Sequence, residues 1–499
     1  MKGTLKEKLE RYLDAGFPII YINTFEEDKV NTILKKISAE KEVYEWNEMT
    51  GYIDTVTGAP IIENCDLNQF LEEHKEKDYL DRKILVFKDM NAYLEDPIVT
   101  SKIKGLAGMI CGGVDANIII LSNRLIIPKE LEQYITILEM DYLSKAEIKE
   151  IIKSFIRENC LDEISDELLD EFASSLKGLT EFEIINLLAL SYADDGELTR
   201  EDLSLIFDQK QQMIKKSGIL EMIPQNETMD VIGGLNNLKD WFTSKAKVFK
   251  NIDKAREFGV DTPKGVLIVG VPGCGKSLNA KAAANLFGVP LLRLDMGRLM
   301  GKYVGESEAN LRNAISLAEA ISPCVLWVDE LEKAFAGIGG FGGGAEVTTR
   351  LFGNFLTWMQ EKTSQTFVVA TANDITQLPP ELLRKGRFDE IFYVDLPNES
   401  ERKNIFKIHI EKRRSEDLKH IKLSGLVRKT EGFSGADIEG VVKDAVETAF
   451  SKDKPQIDTK DILNAIDHTN SLSEIMKDSI ERLHKEYENR KFRNASRDK

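Results

Sequence analysis

The residues with the most specific chemistry lie in one octapeptide, GVPGCGKS, which runs from Gly270 to Ser277. Its spacing is G-x-x-x-x-G-K-S, in which glycines let backbone N–H groups wrap around phosphates. A helix that begins at the lysine would add the positive end of its dipole. In such a loop, Lys276 reaches the β- and γ-phosphates and Ser277 ligates Mg²⁺. An apolar VLIV stretch precedes the octapeptide and an alanine-rich stretch follows it, so the sequence predicts nucleotide binding rather than a chance glycine turn.

Two further apolar stretches end in polar residues suited to the same phosphates. The stretch CVLWV is followed by Asp329 and Glu330, and TFVVATA is followed by Asn373. Because α/β sheets bind ligands at the carboxyl ends of their strands, we expect these side chains to converge with Lys276. We expect Asp329 to hold Mg²⁺ through water, Glu330 to orient or deprotonate the attacking water, and Asn373 to position it. The alternative, an acidic cap of the next helix, does not account for the place of this pair after a phosphate loop.

These motifs belong to a longer pattern. From Met229 to about Asn470 the sequence resembles the AAA ATPases of the P-loop superfamily, through DVIGGL, GVPGCGKS, GKYVGESEANLR, LWVDELEKAF, VVATAND, LPPELLRKGRFDE and GFSGADIEG. The stretches around CVLWVDE and VVATAND are most similar to a hypothetical AAA reading-frame family of red-algal plastids and cyanobacteria, with bacterial relatives. The resemblance implies an α/β fold, with a parallel sheet covered by helices on both faces over 229–396 and a helical lid over 397–470. It also implies ATP hydrolysis with Mg²⁺.

The same resemblance assigns a role to two arginines on a predicted turn. Residues at the positions of Arg384 and Arg387 act in AAA proteins on the γ-phosphate held by a neighbouring subunit. The lid sequence GFSGADI has Ala436 where some relatives place an arginine in cis. The resemblance therefore implies catalysis in trans and a homo-oligomeric ring, by family a hexamer. The alternative is that both arginines make an ordinary surface ion pair.

Contacts to the base also follow from the resemblance. Ile232 and Gly233 should touch the adenine, although Val231 stands where many relatives have Asp. His409 matches a lid histidine near the adenine or ribose, with a purely structural histidine as the equal alternative. Cys274 could sense oxidation, but a small residue that fits the loop is the simpler interpretation. The residues expected to bind ATP are Ile232, Gly233, Gly270, Val271, Pro272, Gly273, Cys274, Gly275, Lys276, Ser277, Leu278, His409, Gly435 and Ala436.

A candidate pore lies between the phosphate loop and Asp329. Lys302, Tyr303 and Val304 match the first pore loop of the family, where an aromatic side chain grips a threaded polypeptide. Local packing of Tyr303 is the alternative. The glycine-rich stretch AGIGGFGGGAE, from Ala336, follows a helical stretch rather than a strand, so it is interpreted as a second pore loop and not as a dinucleotide motif.

The first 208 residues repeat the same order of motifs without a phosphate loop. PIIYIN corresponds to VLIVG, KILVFKDM contains Asp89 where CVLWVDE ends in its two acids, and NIIILSN ends in Asn123. The acids of TFEEDKV replace glycines and would repel a triphosphate. We predict a degenerate, non-hydrolysing AAA-like α/β domain with its own helical lid at about 144–208, serving ring assembly or partner recruitment. An unrelated α/β adaptor is the alternative.

Composition limits the remaining possibilities. The chain of 499 residues has a net charge of −17 and five cysteines without a CxxC pair, which favours a cytoplasmic protein without a disulfide framework. Nucleic acid is an unlikely partner for so acidic a chain. No apolar run approaches the ~18 residues of a membrane span. Residues 209–228 are expected to be a linker, and 471–499 a charged helix with a frayed end.

The sequence thus predicts an Mg-ATP-hydrolysing ring that remodels or threads a protein partner, bound directly or through an adaptor. The competing hypothesis is an ATP-gated assembly scaffold or loader, possibly associated with DNA, with little threading activity.

Overall fold

The computed structural model describes residues 5–24, 26–37, 41–122, 125–140, 142–216, 218–224, 227–299, 306–335, 344–384, 386–490 and 492–497. The strands are β1 (Ile19–Asn23), β2 (Glu42–Asn47), β3 (Gly51–Asp54), β4 (Pro60–Ile62), β5 (Lys83–Phe87), β6 (Asn117–Ser122), β7 (Ile135–Glu139), β8 (Leu220–Ile223), β9 (Gly265–Gly270), β10 (Leu291–Leu294), β11 (Cys324–Val328), β12 (Thr366–Ala372), β13 (Glu390–Val394) and β14 (Arg493–Asn494).

The helices of the first half are α1 (Leu5–Asp14), α2 (Glu27–Ile37), α3 (Leu67–Glu73), α4 (Lys77–Leu80), α5 (Pro97–Cys111), α6 (Lys145–Glu158), α7 (Asp166–Ser175), α8 (Glu181–Asp195) and α9 (Asp202–Lys216). Those of the second half are α10 (Asn236–Lys250), α11 (Ile252–Glu257), α12 (Lys276–Phe287), α13 (Met296–Leu299), α14 (Glu306–Ile321), α15 (Gly344–Glu361), α16 (Glu399–Arg414), α17 (Leu423–Lys429), α18 (Gly435–Ser451), α19 (Thr459–Asp467), α20 (Leu472–Ile475) and α21 (Lys477–Arg490).

The chain forms two compact units, each with one sheet. The first unit holds 1–143, 150–159 and 179–189, and the second holds 144–149, 160–178 and 190–499. Residues 144–208, predicted as a lid of the first domain, are therefore divided between the two units. In the second unit, Lys177 donates to the carbonyl of Ser322 at 2.8 Å, so the loop after α7 lies against the end of α14.

Each sheet contains five parallel strands, and these strands are arranged in the same order in both sheets. The first sheet runs β4-β3-β2-β5-β6-β1-β7 and the second runs β8-β10-β11-β12-β9-β13-β14. In the first sheet, the parallel strands lie in the order β2-β5-β6-β1-β7. In the second sheet, the equivalent strands lie in the order β10-β11-β12-β9-β13. Apolar clusters cover both faces of each sheet, as parallel sheets require. The predicted α/β fold, one AAA-like copy preceded by another, is confirmed.

Equating the last residues of β5 (Phe87) and β11 (Val328), two strands of five residues each, aligns the ladders of the two sheets residue by residue. In the first, Ile118 of β6 pairs with Leu85 of β5, and in the second, Val368 of β12 pairs with Leu326 of β11. Counting outward from these pairs gives the residue of the first sheet that corresponds to each residue after β11 in the second.

This register corrects the alignment of the acids that was inferred from the sequence. Asp89 corresponds to Glu330, and both residues have a left-handed backbone, with φ of 56° and 50°. The position of Asp329 is taken by Lys88, one residue before the acid that the sequence suggested. The mistake arises because an apolar stretch followed by an acid does not show where the strand ends.

Lys88 is held by a buried ion pair. Its ammonium lies 2.8 Å from a carboxylate oxygen of Glu45 on β2 and 3.6 Å from one of Glu27 at the start of α2. Lys88 and Glu45 are both buried. The equivalent position in the second copy carries a carboxylate, so the sign of the charge at this strand end is reversed between the copies.

Two segments that the sequence predicts to be a linker and a frayed end each contribute a strand to the second sheet. Residues 209–228, predicted as a linker, include the last turns of α9 and β8, which pairs antiparallel with β10. Residues 471–499, predicted as a helix with a frayed end, include α20 and α21 followed by β14, which pairs with β13. Ala495 is fully buried.

Helices α16 to α19 form a small lid with its own apolar core, which includes Phe406, Leu426 and Val441. Polar N-caps fix where two of these helices begin: Asn398 caps α16 and Ser434 caps α18, each in a reciprocal capping box. No helix in the described parts of the chain is both long and apolar enough to cross a membrane.

Lys210 on α9 is a buried cation beneath the second sheet. Its ammonium donates to the carbonyl of Ser175 at 2.6 Å, and its side chain is 3% exposed. Burial lowers the pKa of Lys210 to about 7, with Cys324 opposing and Lys177 reinforcing the shift.

Replacing Lys210 with methionine should change how stability depends on pH. The folded protein releases this proton near pH 7 and the unfolded chain near the ordinary 10.5, so the parent gains stability as pH rises through that window. Lys210→Met should lose this gain, which is on the order of a few kcal/mol. Urea unfolding from pH 7 to 10 measures the free energy of unfolding of each variant. Lys215→Met is the control, because Lys215 is exposed on the same helix, α9. Parallel profiles for parent and Lys210→Met would contradict the assignment.

Candidate functional site

The predicted phosphate loop joins β9 to α12 and contains two glycines with a left-handed backbone conformation. Gly273 has φ of 74°, and Gly275, the residue before α12, has φ of 85°. Lys276 is buried, and its ammonium donates to the carbonyls of Gly270 and Val271, each at 2.8 Å. Burial lowers the pKa of Lys276 to about 8, against the opposing thiol of Cys274 and nearby carboxylates. The loop thus encloses a lysine beside the N-terminus of a helix, an arrangement suited to phosphate.

Asp329 connects three elements. Its Oδ1 accepts hydrogen bonds from the hydroxyl of Ser277 at 3.1 Å and from that of Thr371 at 2.6 Å. Ser277 lies in the first turn of α12 and Thr371 on β12, while Asp329 directly follows β11. A hydroxyl and a carboxylate at this spacing could hold Mg²⁺ between them, directly or through water.

Glu330 and Asn373 lie beside this group, and each is oriented by a neighbour. The backbone N–H of Glu330 donates to Thr371 Oγ1 at 3.1 Å, and its carboxylate pairs with Lys333 at 2.5 Å. The side-chain amide and backbone N–H of Asn373 both donate to Glu332, at 2.9 and 3.0 Å. The predicted convergence of Lys276, the two acids and Asn373 is present in the structure.

The lid contacts the phosphate loop directly. The backbone N–H of Ala436, in the first turn of α18, donates to the carbonyl of Gly273 at 3.0 Å. A Cβ at Gly273 would lie 3.0 Å from Ser434 Oγ and 3.1 Å from the Cβ of Ala436, and one at Gly435 would lie 3.1 Å from the Gly273 carbonyl. Glycine at both positions therefore allows this close approach.

A cavity of about 520 Å³ extends from this group between the sheet and the lid. Of the residues expected to bind ATP, all line it except Gly270 and Val271, which are buried at the start of the loop. His409 lies 3.6 Å from Glu439, and burial lowers the pKa of His409, against the carboxylate of Glu439. A Cβ at Gly233 would lie 2.4 Å from Ile405 Cγ1, so the loop that carries Ile232 packs tightly on α16.

Burial of Cys274 bears on the redox alternative. Burial raises the pKa of its thiol to about 12, although Lys276 opposes the shift. The reactive thiolate is therefore disfavoured at neutral pH, and the interpretation of Cys274 as a small residue that fits the loop is the better one.

Some lining residues were not identified from the sequence. Glu401 is buried and accepts from the backbone N–H groups of Leu235 and Asn398, each at 3.0 Å. A signal for Glu401 was readable, because N-x-x-E opening a helix is a capping box. Asp395, Thr371 and Trp327 also line the cavity, and Glu332 supports Asn373. Nothing local in the sequence marks these four, because their roles depend on pairings between distant segments.

The two predicted arginines lie outside the cavity. Arg384 is exposed, and Arg387 is half-buried and donates to the backbone carbonyl of Glu381. Both follow a short 3₁₀ helix, Pro380–Leu383. The candidate pore residues Lys302, Tyr303 and Val304 fall outside the described residues, and so do 336–343 of the glycine-rich stretch. The last three residues of that stretch, 344–346, begin α15.

Together, the sheet order, the phosphate loop and the lid contact define a P-loop ATPase with a helical lid. Family models match in four places: "ATPase family associated with various cellular activities (AAA)" over 266–396, "AAA+ lid domain" over 420–464, and "SpoVK-like AAA ATPase" N-terminal and second domains over 5–140 and 146–217.

Whole-length relatives agree with these matches. The chain is 39% identical to the "Uncharacterized AAA domain-containing protein ycf46" of Guillardia theta over 477 residues, 94% of this chain and 92% of the relative. It is 36% identical to that of Pyropia yezoensis over 495 residues, 98% and 99%. It is also 32% identical over 258 residues to "ATP-dependent zinc metalloprotease FtsH 3" of a Synechocystis strain, 51% of this chain and 41% of the relative. The chain belongs to the AAA ATPase family, and the predicted ATPase class and similarity to the plastid proteins are confirmed.

Replacing Gly273 with alanine tests the contact between lid and loop. Gly273→Ala should cost about 1–2 kcal/mol of backbone strain and also displace Ser434 and Ala436, so it should weaken ATP binding. Gly288→Ala is the matched control, because Gly288 has φ of 71° with no atom within 4 Å of its Cβ position. Urea unfolding should show a loss of stability for both variants, larger for Gly273→Ala, and calorimetric titration should show weakened ATP binding for Gly273→Ala only. Equal ATP affinities would contradict the role given to this contact.

Proposed function

We propose that this protein hydrolyses Mg-ATP at the interfaces of a homo-oligomeric ring, and that it uses the cycle to remodel a protein partner. The site residues support the first part of the proposal. Lys276 and the N–H groups of the loop would neutralise the phosphates, while Ser277 and Asp329 would hold Mg²⁺, which supplies further charge neutralisation.

Glu330 and Asn373 are proposed to act on the attacking water. Glu330 directly follows Asp329 at the strand end and has a left-handed backbone, with φ of 50°. Its pairing with Lys333 would have to be exchanged for the water, and the exposed position of both side chains makes that exchange inexpensive. Asn373, oriented by Glu332, would hold the water in place.

One observation carries the proposal of a ring. None of the described residues that line the cavity is an arginine, whereas Arg384 and Arg387 lie on a turn outside it. An arginine supplied to the transition state can contribute roughly 10³–10⁵ in rate. A neighbouring subunit that presents this turn to the cavity would supply the missing positive charge. A hexamer is the form that the family resemblance favours.

The action on a protein partner rests on the sequence of the pore candidate alone, with Tyr303 as the gripping residue. The alternative, an ATP-gated scaffold, differs in needing no such residue. No observation on the described residues favours the scaffold over remodelling.

Mixing two inactive variants tests the composite site. Lys276→Ala should not bind ATP but retains both arginines, whereas Arg387→Ala should bind ATP but lack the arginine for its neighbour. Each alone should lose at least about 100-fold in turnover, from the values typical of phosphate contacts and arginine fingers. Mixed before assembly, they should regain a measurable fraction of the parent activity, because some interfaces combine an intact cavity with an intact Arg387.

The control mixture is Lys276→Ala with Glu330→Gln. Both changes damage the cavity itself, so no interface in this mixture is intact and activity should stay low. Recovery in neither mixture, or full activity of Arg387→Ala alone, would contradict hydrolysis in trans.

We also propose that the first copy of the fold does not bind ATP. Support comes from Lys88, whose ammonium stands where Asp329 would help to hold Mg²⁺, and from the acids at 26–28 that follow β1 in place of a phosphate loop. A cation at the metal position and carboxylates at the phosphate position would both oppose Mg-ATP.

The stoichiometry of binding tests this proposal in the full chain. Calorimetric titration of Glu330→Gln with Mg-ATP should give one site per chain, and adding Lys276→Ala should abolish it. A second site that survives the Lys276→Ala change would overturn the assignment of the first copy.

A further inference from the structure

The segment after the lid returns to the sheet beside the cavity. Helix α21 packs on β13, where the ring of Tyr487 stacks on that of Tyr393 at 4.3 Å between centroids. His484 on the same helix lies 3.3 Å from Asp395, a lining residue. The segment then adds β14 to β13, and the N–H of Ala495 donates to the carbonyl of Tyr393 at 2.8 Å.

Helix α10 encloses the segment from the other side. The N–H of Leu238 donates to the carbonyl of Ala495 at 3.2 Å. The amide of Asn237 donates to the carbonyls of Asn494 and Ser496 at 3.1 and 2.7 Å. Main-chain bonds on both sides and a fully buried Ala495 fix this stretch in one position.

Ser496 is thereby placed against Glu401. Its hydroxyl donates to Glu401 Oε1 at 2.7 Å, and the same oxygen accepts from the backbone N–H of Leu235 at 3.0 Å. Glu401 is the third residue of the first lid helix, and Leu235 ends the loop that carries Ile232 and Gly233 along the cavity. One carboxylate oxygen therefore joins the returning segment, the lid and this loop.

We propose that Ser496 is a positioning residue for the nucleotide: through Glu401 it holds the 232–235 loop and the start of the lid in the conformation that binds ATP. This inference rests on the proposed ATP site. Glu401 is buried, so loss of one donor leaves its charge less well satisfied and frees the carboxylate to turn away from Leu235. Gly234 lies so close to α16 that a Cβ there would be 2.4 Å from Glu401 Oε1. A turn of the Glu401 carboxylate would therefore remove both the hydrogen bond to Leu235 and a close packing contact of the loop.

The test compares three variants of the full chain. Ser496→Ala should raise the KM for ATP and the Kd for ADP by about five-fold each, the effect of one net hydrogen bond, with kcat within about two-fold of the parent. Ser496→Thr retains the hydroxyl and should restore both constants. Arg497→Ala is the matched control, because its 2.8 Å ion pair with Asp240 is exposed on both sides and should contribute little.

Urea unfolding of each variant, and direct titration with ADP, separate the possible outcomes. Unchanged KM and Kd in a folded Ser496→Ala chain, or a fall in kcat alone, would overturn the positioning role while leaving the ATP site standing. Equal effects of Ser496→Ala and Arg497→Ala would also overturn it. A parent chain that binds neither ATP nor ADP would remove the proposed site itself, and this inference with it.

Discussion

The carboxylate of Asp329 is the interaction on which the arrangement of the site depends. By accepting from Ser277 and Thr371, it joins α12, β11 and β12 at the edge where their ends meet. Thr371 in turn accepts from the backbone of Glu330, which sets the direction of the second acid. The parallel strand order makes this possible, because it brings the carboxyl ends of β9, β11 and β12 to one edge of the sheet. A single carboxylate thus orders Ser277, Thr371 and, through Thr371, the backbone of Glu330.

Two hydrogen bonds join the lid to the large subdomain around the cavity. Gly273 receives the N–H of Ala436 from the lid, and Glu401 receives the N–H of Leu235 from the loop on the other side of the cavity. Both are backbone donors, so the lid is fitted to the large subdomain by main-chain geometry and by small residues. Under the proposed function, such contacts would couple a change at the phosphates to the position of the lid. Movement of the lid would then affect a neighbouring subunit.

The strands, the phosphate loop and the strand-end residues were predictable from the sequence because each has a local signal. A glycine-rich octapeptide, an apolar run and a following acid are contiguous, so their place in the fold follows from strand order alone. The hold of Glu332 on Asn373 was not predictable, since 41 positions separate them and only the pairing of β11 with β12 brings them together. Residues 493–496 were missed for a related reason. The stretch FRNASR is short and polar, and nothing in it indicates a strand until β13 is present as its partner. At Lys88 the sequence misled by one position, because the end of a strand is a property of the ladder and not of the apolar run.

The ion pair between Lys88 and Glu45 has a consequence for the first copy. An aspartate at 88 alone would place a third carboxylate beside Glu45 and Glu27 and would remove the ammonium that now offsets them. Changing Glu45 alone would strand a buried ammonium. Each single change is therefore expected to destabilise the first copy. Under the proposal that this copy does not bind ATP, the ion pair opposes the appearance of a metal-binding carboxylate at position 88, while the strand order shared with the second sheet is retained.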